Sequence, residues 1–156
     1  MTTELEQLSV IPEEKLYEQD FYLWILSTAN RIREGKFDAV DWENVLEELE
    51  SLGRSDKREL RNRLIVLLEH LLKLAYWESE KEANARGWLL TITEQRRQIK
   101  VILKDSPSLK PFLQDIFAES YQDALKNAAI ASGLDLFPTE SPFTQEDTLN
   151  PDWIPE

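Results

Sequence analysis

The stretch SDKRELRNRLIVLLEHLLKLAY, residues 55–76, decides the fold class. Ser55 can cap a helix start, because its hydroxyl can accept from an N–H of the first turn. Asp56 and Glu59 put acids where the helix dipole favours them. Leu60, Leu64, Leu67, Leu68, Leu71, Leu74 and Ala75 then recur at helical spacing and fall on one face. The chain's only histidine, His70, sits just beside that face. A helix this apolar on one side must bury it against other elements, which predicts a helical bundle.

The pattern continues in both directions. Residues 1–12 read as a flexible leader. A first helix is expected over about residues 13–33, with Tyr17, Phe21, Trp24, Thr28 and Ile32 on one face and Gly35 as its stop. Asp41 can cap a second helix, residues 42–52, whose core stripe is Trp42, Val45, Leu46, Leu49 and Leu52, with Gly53 ending it. Residues 55–76 form the third. The polar run ESEKEANARG, residues 78–87, breaks the pattern as a loop or frayed end. A fourth helix, residues 88–104, turns Trp88, Ile92, Ile99, Ile102 and Leu103 inward, and Pro107 in the motif DSPS stops it. A fifth, residues 108–132, carries Leu109, Leu113, Ile116 and Phe117 and then a small-residue seam, Ser120, Ala124, Ala128 and Ala131, before Gly133.

Residues 134–156 are proline-rich yet hold Phe137, Phe143, Trp153 and Ile154. They read as an extended tail draped over the bundle, with a short helical turn after Thr144. The expected fold class is therefore all-α: an antiparallel helical bundle of about five main helices with an extended proline-rich C-terminal tail packed on it. Residues 13–156 are expected to form a single domain.

Composition narrows the function classes. The absence of cysteine excludes disulfides, thiol nucleophiles and cysteine-ligated metals. No run of apolar residues is long enough to span a bilayer, and residues 1–14 lack a basic segment followed by an apolar one. A cytoplasmic protein without membrane attachment is expected. The net charge of -12 disfavours nucleic acid as a partner. That charge is uneven. Residues 1–53 hold 13 acids and 4 bases, residues 54–104 hold 7 acids and 12 bases, and residues 105–156 hold 10 acids and 2 bases. The middle of the chain is thus basic between two acidic flanks.

The runs YEQDFYLW (17–24), LEELESLGRSDKREL (46–60), HLLK (70–73), GWLLTITEQR (87–96), DSPSL (105–109) and FPTESPFT (137–144) together resemble domain-of-unknown-function family 29, a bacterial family abundant in cyanobacteria. The resemblance covers about residues 17–155. It implies an all-helical fold and carries no activity, cofactor or catalytic residue. Where the family often has a Cys-Pro pair, this chain has Ser141-Pro142.

Four constellations can carry chemistry. Glu43, Glu47 and Glu50 share a face of the second expected helix, with Glu48 at the edge of its apolar stripe. A short turn after Gly53 would bring Glu48 to His70, next to Glu69. Carboxylates and an imidazole can hold a divalent metal or exchange protons, but the Glu-x-x-His spacing of di-iron bundles is missing, so a structural Glu48–His70 hydrogen bond is the expectation. In Gln95-Arg96-Arg97, Gln95 points toward the apolar arc and Arg96 lies at its edge. A half-buried arginine needs a counter-charge, and Glu47 or Glu48 is the expected partner, with anion binding as the alternative. The basic run Arg54, Lys57, Arg58, Arg61 and Arg63 reads as a solvated or ion-paired face. DSPS reads as a turn with a cap.

No catalytic, cofactor-binding or metal residue is assigned, and no cofactor is expected. Glu47, Glu48, His70, Gln95 and Arg96 are the candidates for a polar network or site. Two functional classes remain. One is a non-enzymatic helical interaction or adaptor protein that binds another protein or itself. The other is a metal- or anion-binding protein, with or without enzymatic activity, using the Glu/His/Arg cluster.

Overall fold

A computed structural model describes residues 13–156, and every regular element in it is helical. The helices are α1 (Glu13–Gln19), α2 (Phe21–Arg33), α3 (Trp42–Tyr76), α4 (Glu78–Asp105), α5 (Lys110–Ser132) and α6 (Gln145–Leu149). Two 3-10 turns, Phe37–Ala39 and Pro107–Leu109, lie between them. The fold is all-α. The leader expected over residues 1–12 lies outside the described residues. No described helix is long and apolar enough to cross a membrane.

Three boundaries differ from expectation, each for a local reason. The first expected helix is two, because Asp20 leaves helical geometry at φ -147° and its carboxylate accepts from the Leu23 N–H at 3.0 Å, starting α2 anew. The second and third expected helices are one, α3, which continues through Gly53 and Ser55. An interior glycine costs a helix only about 1 kcal/mol relative to alanine, and good helix formers flank this one. The run 78–87 is helical as the first turns of α4. Its Glu, Lys, Ala and Arg residues favour helix without needing a buried face. Gly133, by contrast, does end α5, taking the left-handed conformation at φ +69° that a side chain would disfavour.

The chain forms two compact units, Met1–Leu52 and Gly53–Glu156. In the first, Leu16, Leu23 and Trp24 are buried, with Tyr17, Leu26 and Val45 packed against them. The rings of Tyr17 and Trp24 meet edge to face at 4.8 Å.

The second unit has a far denser core. Leu60, Leu64, Leu67, Leu68, Leu71 and Leu72 of α3 are fully buried. Trp88, Ile92 and Ile99 come from α4, and Leu113, Ile116, Tyr121, Ala124 and Ala128 from α5. Phe137 and Phe143, from beyond α5, complete the cluster. Burial of each large aliphatic side chain contributes about 1.5–3 kcal/mol. The Tyr121 hydroxyl donates to the carbonyl of Pro138 at 2.5 Å, and the Gln122 amide donates to Thr139 at 2.8 Å, fixing the segment after α5.

Candidate functional site

The residues singled out by sequence divide between the two units, Glu47 and Glu48 in the first and His70, Gln95 and Arg96 in the second. Glu48 accepts a hydrogen bond from the Tyr17 hydroxyl within the first unit. That bond, with burial and the nearby acids adding to it, pushes the Tyr17 phenol up to about 12. The short turn on which a Glu48–His70 pairing depended is absent, and His70 has a different partner. Its Nδ1 lies 2.8 Å from the Val66 carbonyl, one turn back on α3, and so must carry the proton. Burial, with Lys73 nearby, holds the His70 pKa below its ordinary 6.5, against the opposing pulls of Val66 and Glu69. Glu69 is engaged by Lys73 at 2.9 Å. Gln95 accepts from Arg63 at 3.3 Å, and Arg63 also pairs with Glu59 at 2.9 Å. Among the described residues, no group of three or more His, Asp or Glu side chains is placed to hold a metal ion.

The basic run on α3 is partly absorbed by an aromatic ring. Lys57 Nζ lies 5.1 Å and the Arg61 guanidinium 5.8 Å from the ring centre of Phe112 on α5, within cation–π range.

Arg96 is the informative member of the set. It is 7% exposed, and its expected carboxylate partner is not what it bonds. Nε donates to the Thr148 carbonyl at 2.9 Å and Nη2 to the Asp147 carbonyl at 3.2 Å. Both acceptors belong to α6, a helix that Thr144 caps through its side-chain oxygen. Burial lowers the Arg96 pKa, yet a guanidinium remains charged throughout the physiological range.

Arg96 lines a cleft of about 620 Å³. Thr93, Arg97, Lys100 and Lys104 line it from the same helix, and Lys110 from the start of α5. Its apolar wall is Ile99, Leu103, Leu149 and Pro151. Sequence reasoning named Arg96 and Arg97 but missed the three lysines. For Lys100 and Lys104 the signal was available, since they follow Arg96 at four-residue steps on one helix face, whereas Lys110 lies on α5 and no spacing links it to them.

A second feature belongs to the first unit. Trp42, Leu46, Leu49 and Leu52 of α3, expected in a core, are 50–65% exposed. Only Val45 of that stripe packs against the first-unit core. On α2, Phe21, Ile25 and Ile32 are exposed as well. The periodicity was real, but it marks a face without showing what covers it. Trp42 is held in place by its indole N–H, which donates to the Phe37 carbonyl at 2.9 Å.

The family model described as "Domain of unknown function DUF29" matches residues 16–154. No curated protein and no solved structure matches the chain.

Proposed function

The chain belongs to the DUF29 family, whose description assigns no activity, and we propose that it is a helical interaction protein that docks a partner protein on its first unit. The observation that carries this reading is the exposed stripe of Trp42, Leu46, Leu49 and Leu52 on α3. Contiguous apolar faces on small units mark interaction surfaces, and amphipathic helices are their usual occupants.

Charge identifies the partner's chemistry. Residues 41–50 carry Asp41, Glu43, Glu47, Glu48 and Glu50 and no base. Glu43 and Glu50 border the stripe on its outer side. An amphipathic helix with a leucine-rich face and basic flanks complements this surface. A second copy would set acid against acid, because residues 1–53 sum to -9.

The test is the binding of a dye-labelled synthetic leucine–lysine amphipathic helix to the full chain, followed by fluorescence anisotropy. Saturable binding is expected, weakened about tenfold by Leu46→Ser with Leu49→Ser and weakened again by salt. Equal binding by parent and variant overturns the assignment. A concentration-dependent dimer in sedimentation, lost in the variant, would give the stripe to a second copy instead.

A further inference from the structure

We propose that the cleft along α4 in the second unit is a binding site for a small anion with an aliphatic body, such as a medium-chain carboxylate or the corresponding phosphate monoester. The inference is independent of the stripe on the first unit.

Sign comes first. Arg96, Arg97, Lys100, Lys104 and Lys110 line the cleft, and among the described residues no carboxylate side chain does. Within a chain of net charge -12, so one-signed a lining is a local concentration of positive potential. Arg97 is already countered by Glu94 at 2.5 Å. Among the described residues, Lys100, Lys104 and Lys110 have no ion-pair partner.

Burial comes second. Arginine is rarely sequestered without a counter-charge, because removing a cation from water is costly. Here the neutral carbonyls of Asp147 and Thr148 hold two edges of the Arg96 guanidinium. They fix its orientation and leave its positive charge uncompensated. Nη1 takes no part in those bonds and is the atom a ligand's anionic head would reach. An anion placed there also gains the charge-assisted hydrogen bonds that arginine and lysine offer carboxylates and phosphates.

Shape and lining give the rest of the ligand. A cleft of about 620 Å³ suits a ligand of ordinary small-molecule size. On α4, Ile99 and Leu103 occupy the arc on one side of Arg96, and Lys100 and Lys104 the arc on the other. Leu149 and Pro151 extend the apolar wall. An apolar and a cationic surface thus run side by side along one helix, and a ligand that is both apolar and anionic touches both at once. Among the described residues no aromatic side chain lines the cleft, so a nucleobase would find no stacking surface there, whereas an alkyl chain needs only the aliphatic wall.

The experiment is isothermal titration calorimetry of the full chain with decanoate, kept below its micellar concentration, beside decyl phosphate, decanol and inorganic phosphate. Decanoate or decyl phosphate should bind saturably, at least about tenfold tighter than either decanol or inorganic phosphate. Lys100→Glu with Lys104→Glu, both at exposed positions, should reduce that affinity at least about tenfold with an unchanged circular dichroism spectrum. Arg96→Lys tests the buried head-group contact, and Leu103→Ser the aliphatic wall. Both should weaken decanoate while leaving the parent's spectrum. Equal binding of decanoate and decanol overturns the proposal, as does binding that the double lysine variant leaves intact. Binding to phosphatidylglycerol vesicles without binding to the free amphiphiles also overturns it, because the site would then read a lipid surface.

Discussion

The two units bury their apolar residues very differently. In the first, buried Leu16, Leu23 and Trp24 stand beside exposed Phe21, Ile25, Leu46 and Leu49. In the second, six leucines of α3 alone are fully buried. One helix, α3, supplies both kinds of face, exposed leucines over residues 42–52 and buried ones from Leu60 onward. The difference teaches that an amphipathic stripe has two uses. It can be consumed in a core, where truncation costs stability, or held outward, where truncation costs little.

The largest expected effect tests the consumed stripe. Leu67→Ala or Leu71→Ala should cost about 2–5 kcal/mol in chemical denaturation, through lost burial and the cavity left behind. A loss below about half a kcal/mol would mean the core tolerates collapse there and the contrast between units is overstated.

A middle effect is expected at Tyr121, which is buried and donates to the Pro138 carbonyl. Burial pushes its phenol up to about 12, so it is a neutral donor at any physiological pH. Tyr121→Phe should cost about 0.5–1.5 kcal/mol, the worth of one hydrogen bond. An unchanged midpoint would show that the Gln122–Thr139 bond and the burial of Phe137 and Phe143 secure the segment after α5 without it.

A pH-dependent effect follows from His70. Its folded pKa lies below 6.5, so the unfolded chain takes up the proton first as pH falls. Above the ordinary value both states are neutral and nothing is lost. As pH drops through 6.5 toward the folded value, the parent should lose stability that a His70→Gln variant keeps. Parallel stability curves for the two proteins across that window would show that the imidazole is not desolvated.

The smallest effect belongs to the outward stripe. Leu46→Ser or Leu49→Ser should change stability by only about half a kcal/mol in either direction, as exposed positions do. A loss like that of Leu71→Ala would show the stripe to be covered, and the two units would then be alike.

What the sequence disclosed follows from which signals are local. The face from Leu60 to Leu74 was legible because its period and its burial coincide. Gly53 was misread as a stop because its penalty is small beside the propensity of its neighbours. The run 78–87 was misread as a break because a helix with few buried side chains leaves no periodic signature, only composition. Arg96 was legible as a residue in need of a partner. Its partners were not, since Asp147 and Thr148 lie about fifty residues onward and contribute backbone carbonyls, which no side-chain pattern encodes.

The bonds from Arg96 to those carbonyls also make the chain sensitive to its length. Ending translation just before Asp147 would remove no large part of the leucine core. It would remove both carbonyls that Arg96 bonds, together with the chain packed over it. Such a shortened chain should be less stable than the full one by the contacts of α6 and by two hydrogen bonds of about 0.5–1.5 kcal/mol each. The guanidinium thus ties α6 to α4 across about fifty residues of sequence.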